Sequence, residues 1–395
     1  MAQGVYGSML QVRLAPAAWR SRLAFASRGA FPPPAGPGLV QRGLRPSVAL
    51  GLGLQAAARL PRIAVRNFAG GPGSGMETGL VSCEWLKAEL DAPTGPLKVV
   101  EATVYLDNSP FAPPEGSEGP QGDFLAGPRL PGAVFYDVDG VATAHPSGCP
   151  HMLPDEEKFA AAMAAMGIEP GTRVVAYDRL GVFSSPRLWY TLKHAFGHPS
   201  EVAVLDGGLP RWIELGYAVE NGPPAAPAPA KMARWSKNLE AVWDKTQVLE
   251  NITSRVALHV DARPAPRFHG EAPEPRPGLR LGHVPGSRSL PVGAVLAPGA
   301  PGRTLASRDA ISAAAEAAGL TDATLRAAEA PRILTSCGSG LTACVVGLAL
   351  HQIGMPMGRW TVYDGSWTEW GGLEDTPVMR RAADGGEEPV GPLQK

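Results

Sequence analysis

The chain has 395 residues, room for two domains of ordinary size once its ends are discounted. Hydrophobic residues make up 44% and charged residues 18%, which excludes a disordered or fibrous chain, and 48 Gly with 41 Pro call for ample loop and linker. The net charge of -1 conceals an asymmetry: residues 1–75 carry nine arginines and no acid, so the acidic remainder is a poor partner for nucleic acid.

Residues 1–68 are Arg-rich, acid-free and dotted with small apolar side chains. This is the composition of an organelle transit peptide, which positive charge draws across an energised membrane. Its longest apolar run, Val48 to Ala58, is too short to span a bilayer. No single apolar core follows one basic cluster, as it would in a secretory signal. Arg66-Asn67-Phe68-Ala69 is similar to a mitochondrial processing site. The expected destination is the mitochondrion, with the plastid as second choice because the two kinds of leader overlap in composition.

Beyond the leader the chain repeats itself. Leu130-Pro-Gly-Ala133 matches Val284-Pro-Gly-Ser287 at an offset of 154, and Leu205-Asp-Gly-Gly-Leu-Pro-Arg-Trp212 matches Tyr363-Asp-Gly-Ser-Trp-Thr-Glu-Trp370 at an offset of 158. Two copies of one domain follow, over 76–218 and 236–377, joined by a Pro-rich linker over 219–235 whose prolines favour an extended segment. In the first copy Val134–Val138, Arg173–Tyr177 and Val202–Leu205 read as strands, and Asp155–Met166 as a helix with its acids in the first turn. In the second, Arg332–Thr335 reads as a strand and Ala343–Leu350 as a helix. Alternating strands and helices predict an α/β fold, each domain a mostly parallel sheet with helices on both faces. The tail from Val378 is polar and Gly-rich, and is expected to wrap the surface or fray.

In such a sheet, function gathers at the carboxyl ends of the strands. The loop after the second-copy strand is Ser336-Cys337-Gly338-Ser339-Gly340-Leu341-Thr342, running into an apolar helix. Glycines there let successive N–H groups turn inward to form an anion site, and the helix N-terminus favours a thiolate. Cys337 is therefore the reactive cysteine. Cys83 and Cys344 read as core, and Cys149 as an exposed, oxidisable loop thiol. None of the four forms a CxxC pair or a zinc spacing, so neither a disulfide scaffold nor a structural metal is expected.

The Cys337–Thr342 loop and the Trp360–Trp370 segment resemble the signatures of tandem rhodanese-domain sulfurtransferases. The uncharged Gly338 and Ser339 resemble the 3-mercaptopyruvate sulfurtransferase type, since thiosulfate-specific members carry basic residues there. The resemblance implies that Cys337 accepts sulfur as a persulfide, cradled by the backbone of Gly338, Gly340, Leu341 and Thr342. It implies that Ser339 relays a proton with an acid of the first domain, Asp139, although spacing alone does not separate Asp139 from Asp137. It implies that Arg267 and Arg276 hold the donor carboxylate, which a guanidinium fork suits better than an ammonium, and that His151 lines the same cleft. The first domain, with Asp178-Arg179 set against Ser336-Cys337, would be a cleft wall without a nucleophile.

The implied cycle uses no metal or organic cofactor, takes a small-molecule sulfur donor, and passes the sulfur to a thiol such as thioredoxin, with no nucleic-acid or membrane partner. Three other classes remain to be weighed: a thiosulfate:cyanide sulfurtransferase, a cysteine phosphatase, and a non-catalytic sulfur carrier or scaffold. A phosphatase would need a loop arginine for the phosphoryl oxygens, and residues 337–343 contain none. The chain departs from the family pattern at Leu341 (usually Val), at His269 in Phe268-His-Gly270 (usually Arg), and at Arg129 in Arg129-Leu-Pro-Gly-Ala133 (usually His). The second of these removes a cation beside Arg267, for which a protonated His269 could substitute.

Overall fold

A computed structural model describes residues 76–107, 109–298 and 303–392; the expected leader and its processing site lie outside the described residues. Five strands of the first half are β1 (Leu80–Val81), β2 (Leu97–Glu101), β3 (Val134–Phe135), β4 (Arg173–Tyr177) and β5 (Val202–Leu205). Five of the second are β6 (Val242–Trp243), β7 (Ala257–Asp261), β8 (Arg288–Ser289), β9 (Arg332–Ser336) and β10 (Trp360–Tyr363). The sheet orders are β1-β5-β4-β2-β3 and β6-β10-β9-β7-β8, parallel throughout, so adding five to each strand number converts one sheet into the other. The sequence repeat is a repeat of structure.

The central strands carry apolar side chains on both faces, as with Val174, Val175 and Ala176 of β4, because helices cover both sides. The strand expected over Val134–Val138 is shorter. Tyr136 donates one last ladder bond to Glu101 O (2.8 Å), and Asp137 then turns the chain by accepting the Gly140 N–H at 2.8 Å. The expected helix near Asp155 runs over Glu156–Ala165, with Asp155 as its N-cap accepting the Lys158 N–H and with Phe159 and Met163 buried. Between the sheets residues 221–239 form neither helix nor strand, but Trp235 is buried edge-on against Phe159, so this stretch is packed down rather than free.

One continuous apolar core draws on both sheets, from Val100 and Val174 through Trp189 and Tyr190 to Val346 and Trp360. At its middle the helix Ser185–Tyr190 of the first half meets the helix Leu341–Gln352 of the second. The carboxyl ends of β4 and β9 therefore open onto a common seam. The tail does not fray: β11 (Met379–Arg381) and β12 (Glu387–Pro389) form an antiparallel hairpin. Met379 exchanges backbone bonds with His283 (2.7 and 3.0 Å), and the Arg381 N–H reaches His269 O (3.0 Å).

Candidate active site

Cys337 follows the last residue of β9 and starts the turn into the helix Leu341–Gln352. The turn closes because Gly340 takes φ +83, a left-handed conformation that costs glycine little. The N–H groups of Ser339 and Gly340 then point at Cys337 Sγ at 3.4 and 3.1 Å, adding to the positive end of the helix. The loop is pinned from β10's side: Ser366 Oγ accepts the Cys337 N–H (3.2 Å), Trp367 N–H donates to Cys337 O (3.0 Å), and Thr368 Oγ1 donates to Gly338 O (2.6 Å).

A cleft of about 1040 Å³ lies over this loop. The first domain lines it with Tyr105, Asp107, Phe111 and neighbouring described residues and with Gly148, Pro150 and His151; the second contributes Arg267, Arg276, Cys337, Ser339, Leu341 and Thr342, among others. A side chain begun at Gly338 would stand 3.5 Å from Arg267 Nη2 and 3.7 Å from Arg276 Nη1, so both guanidinium groups flank the residue next to the thiol. Gly340 takes part through its N–H rather than as a wall of the cleft.

A buried carboxylate fixes Arg267. Arg267 pairs with Glu274, whose side chain is 2% exposed and also holds Arg263 at 2.8 Å; Arg263 in turn pairs with Asp261 and lies 4.0 Å over the Trp367 ring. Arg276 reaches Thr368 Oγ1 at 3.4 Å. Neither Glu274 nor Arg263 is singled out by motif or spacing. Their signal was only their place in the Arg263–Arg276 stretch, where charges cluster between prolines.

Three expectations are corrected, and Asp139 has a partner that its spacing does not foretell: its Oδ1 lies 2.5 Å from His151 Nδ1. Partial burial works to raise the Asp139 carboxyl, but the His151 hydrogen bond and charge outweigh it, and the pKa falls below the ordinary value. Asp137 caps a turn instead, which separates the two acids. Cys149 is buried rather than exposed, and burial pushes its thiol up to about 12, as it does for Cys83 and Cys344. None of these three is a nucleophile near neutral pH. His269 does not replace the missing cation: burial and the neighbouring Arg381 lower its pKa, and its Nε2 faces Arg381 Nη2 at 2.9 Å. Arg381, from the hairpin, is itself paired with Glu271 at 2.9 Å.

The third correction concerns the first domain's loop. Glu101 pairs with Tyr177 and Asp261 with Ser336, so the residue opposite Cys337 is Asp178 and not Arg179. Its buried carboxylate accepts N–H bonds from Leu180, Phe183, Ser184 and Ser185 at 2.9 to 3.0 Å and the Ser185 hydroxyl at 2.7 Å. The same turn that cradles sulfur in one domain cradles a built-in anion in the other. Among the described residues no group of His, Cys, Asp and Glu is arranged to hold a metal, and no helix is long and apolar enough to cross a membrane.

Two parallel α/β sheets in tandem, with a cysteine turn after the fourth strand of one copy only, define the rhodanese class of fold. Residues 117–215 match the Rhodanese-like domain family. A thiosulfate/3-mercaptopyruvate sulfurtransferase of Arabidopsis thaliana, named as mitochondrial, is 38% identical over 232 residues, covering 54% of this chain and 58% of that protein. A 3-mercaptopyruvate sulfurtransferase of Escherichia coli is 36% identical, covering 54% of this chain and 71% of that one. The crystal structure of SseA from Escherichia coli, described as a 3-mercaptopyruvate sulfotransferase, superposes with a TM-score of 0.59 at 31% identity over 73% of this chain and 98% of that one. The Tum1 protein of Saccharomyces cerevisiae gives 0.61 at 30% identity over 74% and 94%. The chain belongs to the rhodanese family, in its tandem-domain 3-mercaptopyruvate sulfurtransferase type. The matches span 58% and 64% of the length of the two Arabidopsis relatives.

Proposed function

We propose that the protein is a 3-mercaptopyruvate sulfurtransferase. The observation that carries this reading is the pair Arg267 and Arg276 converging beside Gly338, one residue from a thiol held by two inward N–H groups. A 2-oxo acid with a thiol on the next carbon fits such a site, its carboxylate on the arginine fork and its sulfur at Cys337. The Cys337 thiolate attacks that sulfur. The carbon–sulfur bond breaks, its electrons leave with carbon as the enolate of pyruvate, and Cys337 keeps a persulfide. His151, oriented by Asp139 through Nδ1, lines the cleft and has a buried Nε2 without a hydrogen-bond partner among the described residues, and in this reading it hands the enolate its proton. A thiol, such as that of thioredoxin, then attacks the outer sulfur and restores Cys337 as thiolate.

The assignment of Cys337, Ser339 and Asp139 to catalysis and of Arg267, Arg276, His151, Gly338, Gly340, Leu341 and Thr342 to binding belongs to this proposal, with Asp139 acting through His151. So do the boundaries 76–218 and 236–377, and a mitochondrial destination. Turnover with 3-mercaptopyruvate and with thiosulfate on one preparation, together with the mass of the loaded chain, tests it. The expected results are preference for 3-mercaptopyruvate and a gain of one sulfur that vanishes in Cys337→Ser. Preference for thiosulfate makes the protein a thiosulfate sulfurtransferase, and no adduct with either donor makes it a carrier or scaffold.

A further inference from the structure

The cleft over Cys337 is larger than its proposed donor. A volume of about 1040 Å³ suits a drug-sized molecule rather than a three-carbon 2-oxo acid. Phe111, Leu296 and Arg303 also line it, and the donor chemistry above uses none of them. Arg303 belongs to the second domain but is anchored on the first. Its N–H points to Leu180 O at 3.5 Å, and its backbone presses on Gly181, where a side chain would have no room. Its Nη2 donates to Pro110 O at 3.1 Å, and its guanidinium lies 4.4 Å over the Phe111 ring, itself stacked on buried Phe183 at 3.8 Å. A carbonyl and a ring face thus fix the cation in place without neutralising it. Among the described residues Arg303 has no carboxylate partner, whereas Arg263 and Arg267 of the same cleft share Glu274. The one described acid lining the cleft is Asp107, which is exposed. Leu305 pairs with Leu296, which brings that apolar side chain to the same wall.

We propose that this wall seats the sulfur acceptor, and that the acceptor it selects is a small thiol with a carboxylate at the far end of an apolar chain; this rests on the sulfurtransferase reading above. The apolar chain lies along Phe111 and Leu296, and the carboxylate meets the fixed guanidinium. The acceptor's thiolate then attacks the outer sulfur of the Cys337 persulfide. The bond between the two persulfide sulfurs breaks, its electrons return to Cys337 as thiolate, and the acceptor leaves as a hydropersulfide. Cys337 is 3% exposed, so an acceptor has to enter the cleft, which favours a small molecule over a folded protein.

The test loads Cys337 from 3-mercaptopyruvate, removes the donor, and follows loss of the added sulfur by intact mass. The acceptors are ω-mercaptoalkanoates of increasing length, each beside the ω-mercaptoalcohol of equal length. The expected result is a rate advantage for the carboxylate that peaks at one length, falls about tenfold in Arg303→Gln and is partly recovered in Arg303→Lys. Glutamine keeps an N–H for Pro110 O, so a purely structural Arg303 would slow the acid and the alcohol alike; that result overturns the proposal. So does a missing carboxylate advantage at every length. Discharge by reduced thioredoxin with none by any small thiol makes the acceptor a protein and overturns it too. Calorimetric binding of the best-matched ω-(methylthio)alkanoate to Cys337→Ser gives a readout without turnover, and should weaken about tenfold when Arg303→Gln is added. If the chain takes up no sulfur at all, the sulfurtransferase reading has failed; binding that ignores Arg303 is the separate failure of this proposal.

Discussion

Asp206 and Asp364 occupy the same place in the two repeats, and each gives a carboxylate oxygen to a backbone N–H across the seam: Leu305 for Asp206 and Leu153 for Asp364, both at 2.9 Å. The exchange is reciprocal but unequal. Asp364 has Arg187 as its counter-charge, whereas Asp206 has no ion pair among the described residues.

For Asp206 burial is the main influence, only partly offset by the Leu305 and Gly207 N–H groups, and its pKa rises to about 6. An acid whose folded value lies above its unfolded one favours the fold below the unfolded value, and that favour is lost as pH rises through about 6. Asp206→Asn should therefore raise stability at pH 7.5 by on the order of 2 kcal/mol and leave it unchanged near pH 4. Melting curves at the two pH values check this; an increase confined to acid pH would contradict it.

The arginines flanking Gly338 should act as a donor filter. Arg276→Lys keeps charge but loses the two-point fork, at a cost of roughly 1.5–3 kcal/mol, or about 10- to 150-fold in kcat/KM for 3-mercaptopyruvate. Thiosulfate, having no carboxylate, should lose much less. Steady-state kinetics with both donors decides, and equal losses would reduce the arginines to a general source of positive potential.

Asp178 fills its own cradle, so Asp178→Cys should not create a second sulfur site. The position is fully buried, closed to a donor from solvent. Replacing a carboxylate with five bonds by a thiol should instead destabilise the fold by about 3 kcal/mol or more. Intact-mass analysis after donor treatment should still show one added sulfur per chain; two would refute the assignment.

Ser366 takes φ +50 where its repeat partner Gly208 takes φ +53, yet it is not a glycine. Its hydroxyl is the reason, accepting the Cys337 N–H and donating to Tyr363 O at 2.8 Å. In Ser366→Gly the relief of backbone strain, about 1 kcal/mol, offsets a lost hydrogen bond of similar size. Melting temperature should hardly move while persulfide formation slows several-fold, as rapid-quench mass measurements would reveal. A slower rate with a collapsed melting temperature would mean the residue is structural only.

Much of this architecture was legible in the residues. Matching Leu205-Asp-Gly-Gly and Tyr363-Asp-Gly-Ser announced the duplicated sheet, because a tight turn after a buried strand needs those residue types. Cys337 was legible because a thiol in a Gly-rich turn after a strand is chemically conspicuous. What stayed hidden depends on chain segments far apart in sequence. Asp139 meets His151 while Asp137 caps a turn, and no spacing rule encodes that division. Nothing in the sequence marks Glu274 or Arg187, since burial of an ion pair is a property of the assembled fold. The one-residue shift that placed Arg179, not Asp178, against Cys337 came from aligning loops of unequal length; only the strand register corrects it.

The two turns after β4 and β9 differ in how fully they are satisfied. Asp178 takes five hydrogen bonds, while Cys337 Sγ receives two. The first domain thus behaves as though permanently ligated, and the second reaches a comparable state only when a further sulfur arrives. On the sulfurtransferase reading, a persulfide on Cys337 should favour the folded state, where alone these N–H donors are gathered to hold its outer sulfur. The sulfur-charged form would resist heat and proteolysis longer than the discharged one, so that when donor runs short the protein's own lifetime in the cell shortens with it.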